Sequence, residues 1–258
     1  MIFHDTPVLC GHRGAGAGIV DGHRENTLAS FRAAVEAGIR WVEVDARATA
    51  DGALVALHDP ALPDGRFVAE LTAGEADAAG LMRVADLLED LPQEVGVDIE
   101  VKTSLEDAAR PREGTTAALV AALAGERPGP PRQLLVTSFD AAALLIVKEV
   151  VPGVPVGLLT WRGFPLRKAI PAAVHLGAQA VAPSFTSFAL AGTSPERRRL
   201  ERAPEEAVRV AHDAGLEVIA WCPRPAEAEE LAAAGVDCLV VDDVPAVAAR
   251  AGLESARR

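Results

Sequence analysis

Cysteine is scarce in this chain. Cys10, Cys222 and Cys238 are its only three among 258 residues. They are odd in number, widely separated and set in apolar runs, so neither a disulfide framework nor a zinc-ligand spacing can be read from them. They are expected to be reduced core residues. Long hydrophobic stretches are missing as well: runs such as "AAALLIV" at 141–147 fall far short of the roughly 20 residues that a membrane span requires. The opening "MIFHDTPVLC" has neither the basic start nor the apolar segment of a secretory leader. Basic charge is also in deficit, with 25 Lys and Arg against 37 Asp and Glu and a net charge of −12. That balance repels phosphate backbones and argues against nucleic acid as a partner. It leaves room for a small anionic substrate, because a metal or an arginine can reverse the field locally. The expectation is a cytoplasmic protein with no stable membrane insertion, acting on a small molecule.

What the sequence does have is alternation. Strand-like apolar runs appear at 7–12, 40–46, 95–102, 133–139, 155–161, 178–185, 216–222 and 236–242. Between them lie segments such as "NTLASFRAAVEAG" and "EEAVRVAHDAG", with apolar residues at three- and four-residue spacing and a closing glycine. Eight strand–helix alternations call for parallel strands with helical crossovers, and a single (β/α)8 TIM barrel spanning 1–258 is the economical closure. The piece "ALVALHD" at 53–59 falls outside that count. Asp51-Gly52 reads as a two-residue hairpin turn, making this piece a β-hairpin extension after strand 2, with Asp45 opposite His58. The stretch "GERPGPPR" at 125–132 reads as a surface loop, and the long connection at 184–204 as a lid or binding loop.

The polar residues of the strands gather at one end. Side chains two apart on a strand share a face, so Glu43 and Asp45 point together, as do Glu100 and Lys102. His12 and Arg13 follow the first strand directly. All belong to the carboxyl ends of successive strands, where barrel active sites are built. Three carboxylates in one mouth repel each other unless a divalent cation joins them. Oxygen-only ligation suits Ca2+, Mg2+ or Mn2+. Two histidines beside a hard ion fit general acid–base chemistry. With Arg13 and Lys102 adding positive charge, the set is equipped to cut a phosphate ester.

The ordered motifs "GHRG", "ENTLASF", "EVDARATADGALVALHD" and "IEVK", with "VIAWC…LAAAGVDCLVVDDVP" near the C-terminus, resemble the glycerophosphodiester phosphodiesterase family. The resemblance implies a TIM barrel that hydrolyses glycerophosphodiesters to glycerol 3-phosphate and an alcohol. By position, His12 and His58 look like the acid/base pair, and Glu43, Asp45 and Glu100 like the ligands of one divalent cation. Arg13 and Lys102 look like phosphate-binding or supporting groups, and Trp221 like a wall of the substrate pocket. The chain departs from the family in having Arg24 before Glu-Asn-Thr, a short "PALPDGRFVAELTAGE" after His-Asp, and "CPRP" at 222–225 after the strand-seven tryptophan. The shortened region leaves room for a lysophospholipase D-like activity on lipid-tailed diesters. A barrel that binds a phosphorylated ligand without turnover is a further alternative, although binding alone needs no proton donor and acceptor.

Simpler roles compete at several positions. Lys102 serves equally to neutralise Glu100 or Asp45, and Arg13 to pair with a loop carboxylate. Asp98, deeper on the face of Glu100, reads as a hydrogen-bonded structural residue. Asn26 and Thr27 read as helix caps, and Glu25 as either a helix start or a supporting group. His4, His23, His175 and His212 read as surface or packing residues. Arg197, Arg198, Arg199 and Arg202 read as a solvated helix face, with one arginine reaching an anionic head group if the 184–204 segment closes over the mouth.

Overall fold

The computed structural model of the chain describes residues 1–125 and 133–250. Eight parallel strands close into a barrel: β1 (Val8–His12), β2 (Trp41–Ala48), β3 (Gly96–Val101), β4 (Leu134–Ser138), β5 (Val156–Thr160), β6 (Ala180–Pro183), β7 (Glu217–Trp221) and β8 (Cys238–Val241). Each pairs with its sequence neighbour, and β1 pairs with both β2 and β8, which shuts the ring. The (β/α)8 TIM barrel expected from the alternation is therefore the fold. The loop expected at 125–132 lies, beyond Gly125, outside the described residues.

Alternation along the strands divides the core in two. Val42, Val44, Val97, Ile99, Val136, Val218 and Val241 pack outward into one apolar cluster with the helices, and every barrel strand contributes to that cluster. The inward set begins with Cys10, Trp41, Leu135, Ala180, Ile219 and Cys238, an apolar floor under which Phe3 meets Trp41 edge-on at 4.9 Å. Gly96 makes that floor possible. A Cβ there would come within 2.4 Å of the Trp41 ring, so only a bare α-carbon fits beside the indole. Going up β2 from Trp41, the same face presents Glu43, Asp45 and Arg47, so the interior changes from apolar to charged toward the carboxyl rim.

The hairpin after β2 exists, but its register differs from the sequence expectation. Leu54–Ala56 runs antiparallel to β2 with Ala48 opposite Leu54 and Ala46 opposite Ala56, so Asp45 faces Leu57 and not His58. The turn uses three residues, 50–52, and not two. Thr49 N donates to Ala53 O at 2.8 Å, the Thr49 hydroxyl bonds Asp51, and Gly52 takes the positive φ that ends such a loop. His58 still reaches the rim. Arg47, buried on the inward face of β2, donates to the carbonyls of both Leu57 and His58 and fixes the backbone there.

The first helix, Leu28–Glu36, is capped by Thr27, whose hydroxyl accepts from Ser30 N. Its buried face carries Ser30, Phe31 and Ala34. Ser30 Oγ accepts from Ala15 N and donates to Arg13 O, which ties the loop after β1 to the helix. Gly14, at φ +102°, lies so close that a Cβ would sit 2.4 Å from that hydroxyl. The loop is thus pressed flat and turns His12 and Arg13 into the barrel mouth. Among the described residues no helix is long and apolar enough to cross a membrane.

Candidate active site

A cavity of about 1200 Å³ opens at the carboxyl ends of the strands. Of the eight residues singled out in the sequence, His12, Arg13, Glu43, His58, Glu100, Lys102 and Trp221 line it. Asp45 does not. Fully buried, it stands behind the wall and touches the site through its neighbours.

Those neighbours are two cations and an amide. Arg13 Nε lies 3.1 Å from Asp45 Oδ2, Lys102 Nζ lies 3.0 Å from Asp45 Oδ1, and Asn26 Nδ2 donates to Oδ2 at 2.8 Å. Burial pushes the Asp45 carboxyl up, but Lys102 and Arg13 outweigh it and lower the pKa to about 2. Lys102 also contacts Glu100 Oε1 at 2.5 Å. Burial nevertheless leaves the Glu100 carboxyl above its ordinary value, with Lys102 offsetting only part of the shift. Glu43 has no such partner. Its Oε2 accepts from the Arg13 backbone N–H at 3.0 Å, while Oε1 is buried without a hydrogen bond. Desolvation first, then the charges of Asp45 and Glu100, drive its pKa well above the usual carboxylate range.

Oxygens of Glu43, Asp45 and Glu100 lie within 4.8 Å of one another. The donor set is all oxygen and three-fold acidic, and Glu43 Oε1 has no other partner, so the residues fit a hard divalent cation. Asp98, one layer below, accepts from the Thr137 hydroxyl at 2.9 Å, the hydrogen-bonded placement expected for it.

The two histidines differ in setting. His12 is largely buried, with Nδ1 2.5 Å from Asp242 Oδ1 and Nε2 3.7 Å from Glu43 Oε2. His58 is more open, with Nδ1 2.8 Å from Asp59 Oδ1. Burial lowers its pKa, and the nearby Lys102 and Arg13 lower it further against the pull of Asp45.

Across the mouth stands an aromatic shelf. Phe139 and Trp161 stack at 4.3 Å and 23°, Trp221 meets Phe139 edge-on at 6.0 Å, and the Arg162 guanidinium lies 5.8 Å from the Trp221 ring. Trp161 is 67% exposed.

Several of these residues were missed or misread in the sequence. Asn26 is not the expected cap: Thr27 caps the helix, and Asn26, at φ +55°, reaches Asp45. Cys222 is not the core residue expected of it. It is half-buried at the rim, its Sγ 3.6 Å from His12 Nδ1 and 3.3 Å from Asp242 Oδ1. Asp242 joins the site with no role expected for it, and its sequence signal is an acid just past the end of the last strand. Among the described residues, none of the 184–204 segment lines the cavity. Phe188 and Leu190 anchor it in the core, Arg198 donates to the carbonyls of Leu190 and Ala191, and Arg202 pairs with Glu206. The side chain of Arg197 lies outside those described.

A closed parallel barrel with acids, histidines and cations converging at its carboxyl rim defines an enzyme of the TIM-barrel class. Within that class, the chain matches the glycerophosphoryl diester phosphodiesterase family over residues 12–246, and it belongs to that family. No curated protein matches the chain. Among solved structures, it is 25% identical to a candidate glycerophosphoryl diester phosphodiesterase of Silicibacter pomeroyi, covering 96% of this chain and 95% of that one, with a TM-score of 0.74. It is 22% identical to the glycerophosphodiester phosphodiesterase of Thermotoga maritima, over 93% and 96% of the two chains, with a TM-score of 0.71. An Oleispira antarctica phosphodiesterase, solved with its product sn-glycerol-3-phosphate, is 21% identical over 95% and 97%, with a TM-score of 0.76.

Proposed function

We propose that this protein hydrolyses glycerophosphodiesters to glycerol 3-phosphate and an alcohol, with His12 and His58 moving protons and one divalent cation held by Glu43, Asp45 and Glu100. The observation that carries the reading is the convergence of two imidazoles, each paired at Nδ1 with a carboxylate, on the cavity that Glu43 and Glu100 of the acidic triad also line. Membership of the family and the product held by the Oleispira relative support the substrate class. When bound, a Ca2+, Mg2+ or Mn2+ ion supplies Lewis-acid neutralisation of phosphate charge.

The chain's own groups divide the remaining work. Arg13 and Lys102, both lining the cavity, draw the phosphate in against the net negative charge of the molecule. Asp242 accepts a hydrogen bond from His12 Nδ1–H, which leaves Nε2 with a lone pair to take a proton from the attacking oxygen. His58 supplies the proton to the leaving alkoxide. Its depressed pKa keeps it neutral at rest, and an anionic phosphate beside it raises the pKa and loads the proton when substrate arrives.

The test combines metal removal with single variants. Chelated protein should lose turnover of glycerophosphocholine and recover it with Ca2+, Mg2+ or Mn2+. His12→Ala and His58→Ala should each lower kcat by roughly 10²–10⁴. A diester with a nitrophenolate leaving group should rescue His58→Ala but not His12→Ala, because a good leaving group needs no acid. Undiminished turnover by either histidine variant on glycerophosphocholine would refute its role.

A second reading within the same chemistry is a lysophospholipase D-like preference for lipid-tailed diesters. The exposed Trp161 stacked on Phe139 favours it, since an apolar ledge at the mouth suits an acyl chain. Comparing lysophosphatidylcholine with glycerophosphocholine distinguishes the two.

A further inference from the structure

His12 Nδ1, Cys222 Sγ and an Asp242 oxygen all lie within 4.8 Å of each other, at the carboxyl ends of β1, β7 and β8. This group shares His12 and Asp242 with the proton-transfer machinery, but its donors differ in kind from the carboxylate triad: one sulfur, one nitrogen and one oxygen. Such a mixed set suits a borderline-soft cation. A tetrahedral zinc centre has S···N and S···O separations of about 3.6 Å and N···O of about 3.4 Å. Here the sulfur lies 3.6 Å from the nitrogen and 3.3 Å from the oxygen, already close to those spacings. The Nδ1···Oδ1 contact, at 2.5 Å, must open by under about 1 Å. The Asp242 side chain is 44% exposed and has room to do so.

Cys222 is aimed at this place by its backbone. It adopts φ +53°, a conformation rare for a residue with a side chain, and its N–H is fastened to Val240 O at 2.8 Å. Without a cation, burial and then the Asp242 charge raise the thiol pKa and keep it protonated. The same negative surroundings attract a divalent cation, which reverses the preference.

We propose that His12, Cys222 and Asp242 form a second metal site, with three protein ligands and an open position toward the mouth, that takes Zn2+ or a similar borderline-soft cation while the acidic triad takes a hard one. On binding, the Cys222 thiol releases its proton to solvent. The His12 ring proton moves from Nδ1 to Nε2, so the ring stays neutral and the sulfur, nitrogen and oxygen each donate a pair to the metal. Nε2 then carries a hydrogen and accepts none. Zinc at this site therefore inhibits turnover, a consequence that rests on the phosphodiesterase reading. Occupancy of the site does not.

The experiment titrates full-length protein, saturated with Mg2+, with Co2+ and then Zn2+. One equivalent should bind, Co2+ should give a thiolate-to-metal charge-transfer band in the near ultraviolet, and about one proton should be released per Zn2+ above neutral pH. Cys222→Ser should abolish the band and weaken Zn2+ by more than about tenfold, and Asp242→Asn should weaken it while keeping the band. Glu43→Gln should leave the zinc equivalent in place. Zinc inhibition, measured against each protein's own zinc-free rate, should weaken in parallel with affinity. Equal affinity in wild type and Cys222→Ser, absence of the band, or loss of the zinc equivalent in Glu43→Gln each overturns the proposal. If the protein turns over no diester, the spectroscopic and binding results still decide the site.

Discussion

Glu43 is held where its charge is least welcome. Burial and two acidic neighbours raise its folded-state pKa well above the ordinary 4.5. The stability this group contributes is therefore full below about pH 4.5 and is lost as pH rises through the folded value. At neutral pH without a cation, Glu43 weakens the fold. Glu43→Gln keeps the shape and removes the charge, so it should raise the Tm of metal-free protein near pH 8 and gain less near pH 5. Each kcal/mol corresponds to roughly 2–4 °C for a chain of this size. Calorimetry at the two pH values checks this, and a variant no more stable than wild type at pH 8 counts against it. Asp45 has the opposite sign. Its pKa of about 2, below the ordinary 3.8, adds stability above pH 4 that is lost as the pH falls toward 2. Residues of this kind were legible in the sequence as far as alternation could place them. Asn26, Cys222 and Asp242 were not, because their reach depends on positive φ values at the first two and on a loop beyond a strand end at the third.

At the scale of elements, all eight barrel strands were legible, since strands buried on both faces read as continuous apolar runs. The hairpin was legible as a hairpin but one residue out in register. A two-residue turn and a three-residue turn differ by a Thr49 hydroxyl that bonds Asp51 and Ala53, and Asp-Gly occurs in both. Arg47 recovers the outcome by clamping the Leu57 and His58 carbonyls. The β2–β3 pair is where an element tolerates least. Gly96 lies beside Trp41, and Gly96→Ala would force its methyl to within 2.4 Å of the indole. The expected cost is about 1–3 kcal/mol, read as a lower urea midpoint with unchanged slope. Restored stability in Gly96→Ala/Trp41→Leu would identify the indole as the cause.

The whole molecule is one ring with one outer core. Because every barrel strand contributes to the same apolar cluster, no subset of strands can leave without opening the rest. We propose that the chain unfolds as a single domain. Calorimetry of the metal-free protein should give one transition with matching calorimetric and van't Hoff enthalpies, and two resolved transitions would show a division of the chain. The sequence foreshadowed this unity through its unbroken alternation. It could not foreshadow the aromatic shelf, whose members stand at the carboxyl ends of three strands and meet only when the ring closes. That shelf divides the chain's three indoles: Trp161 and Trp221 stand at the entrance, while Trp41 is sealed in the floor. The protein's fluorescence is accordingly split between two emitters that border the cavity and one that does not, so a guest entering the barrel changes the colour of the light from the first two and leaves the third as an internal reference.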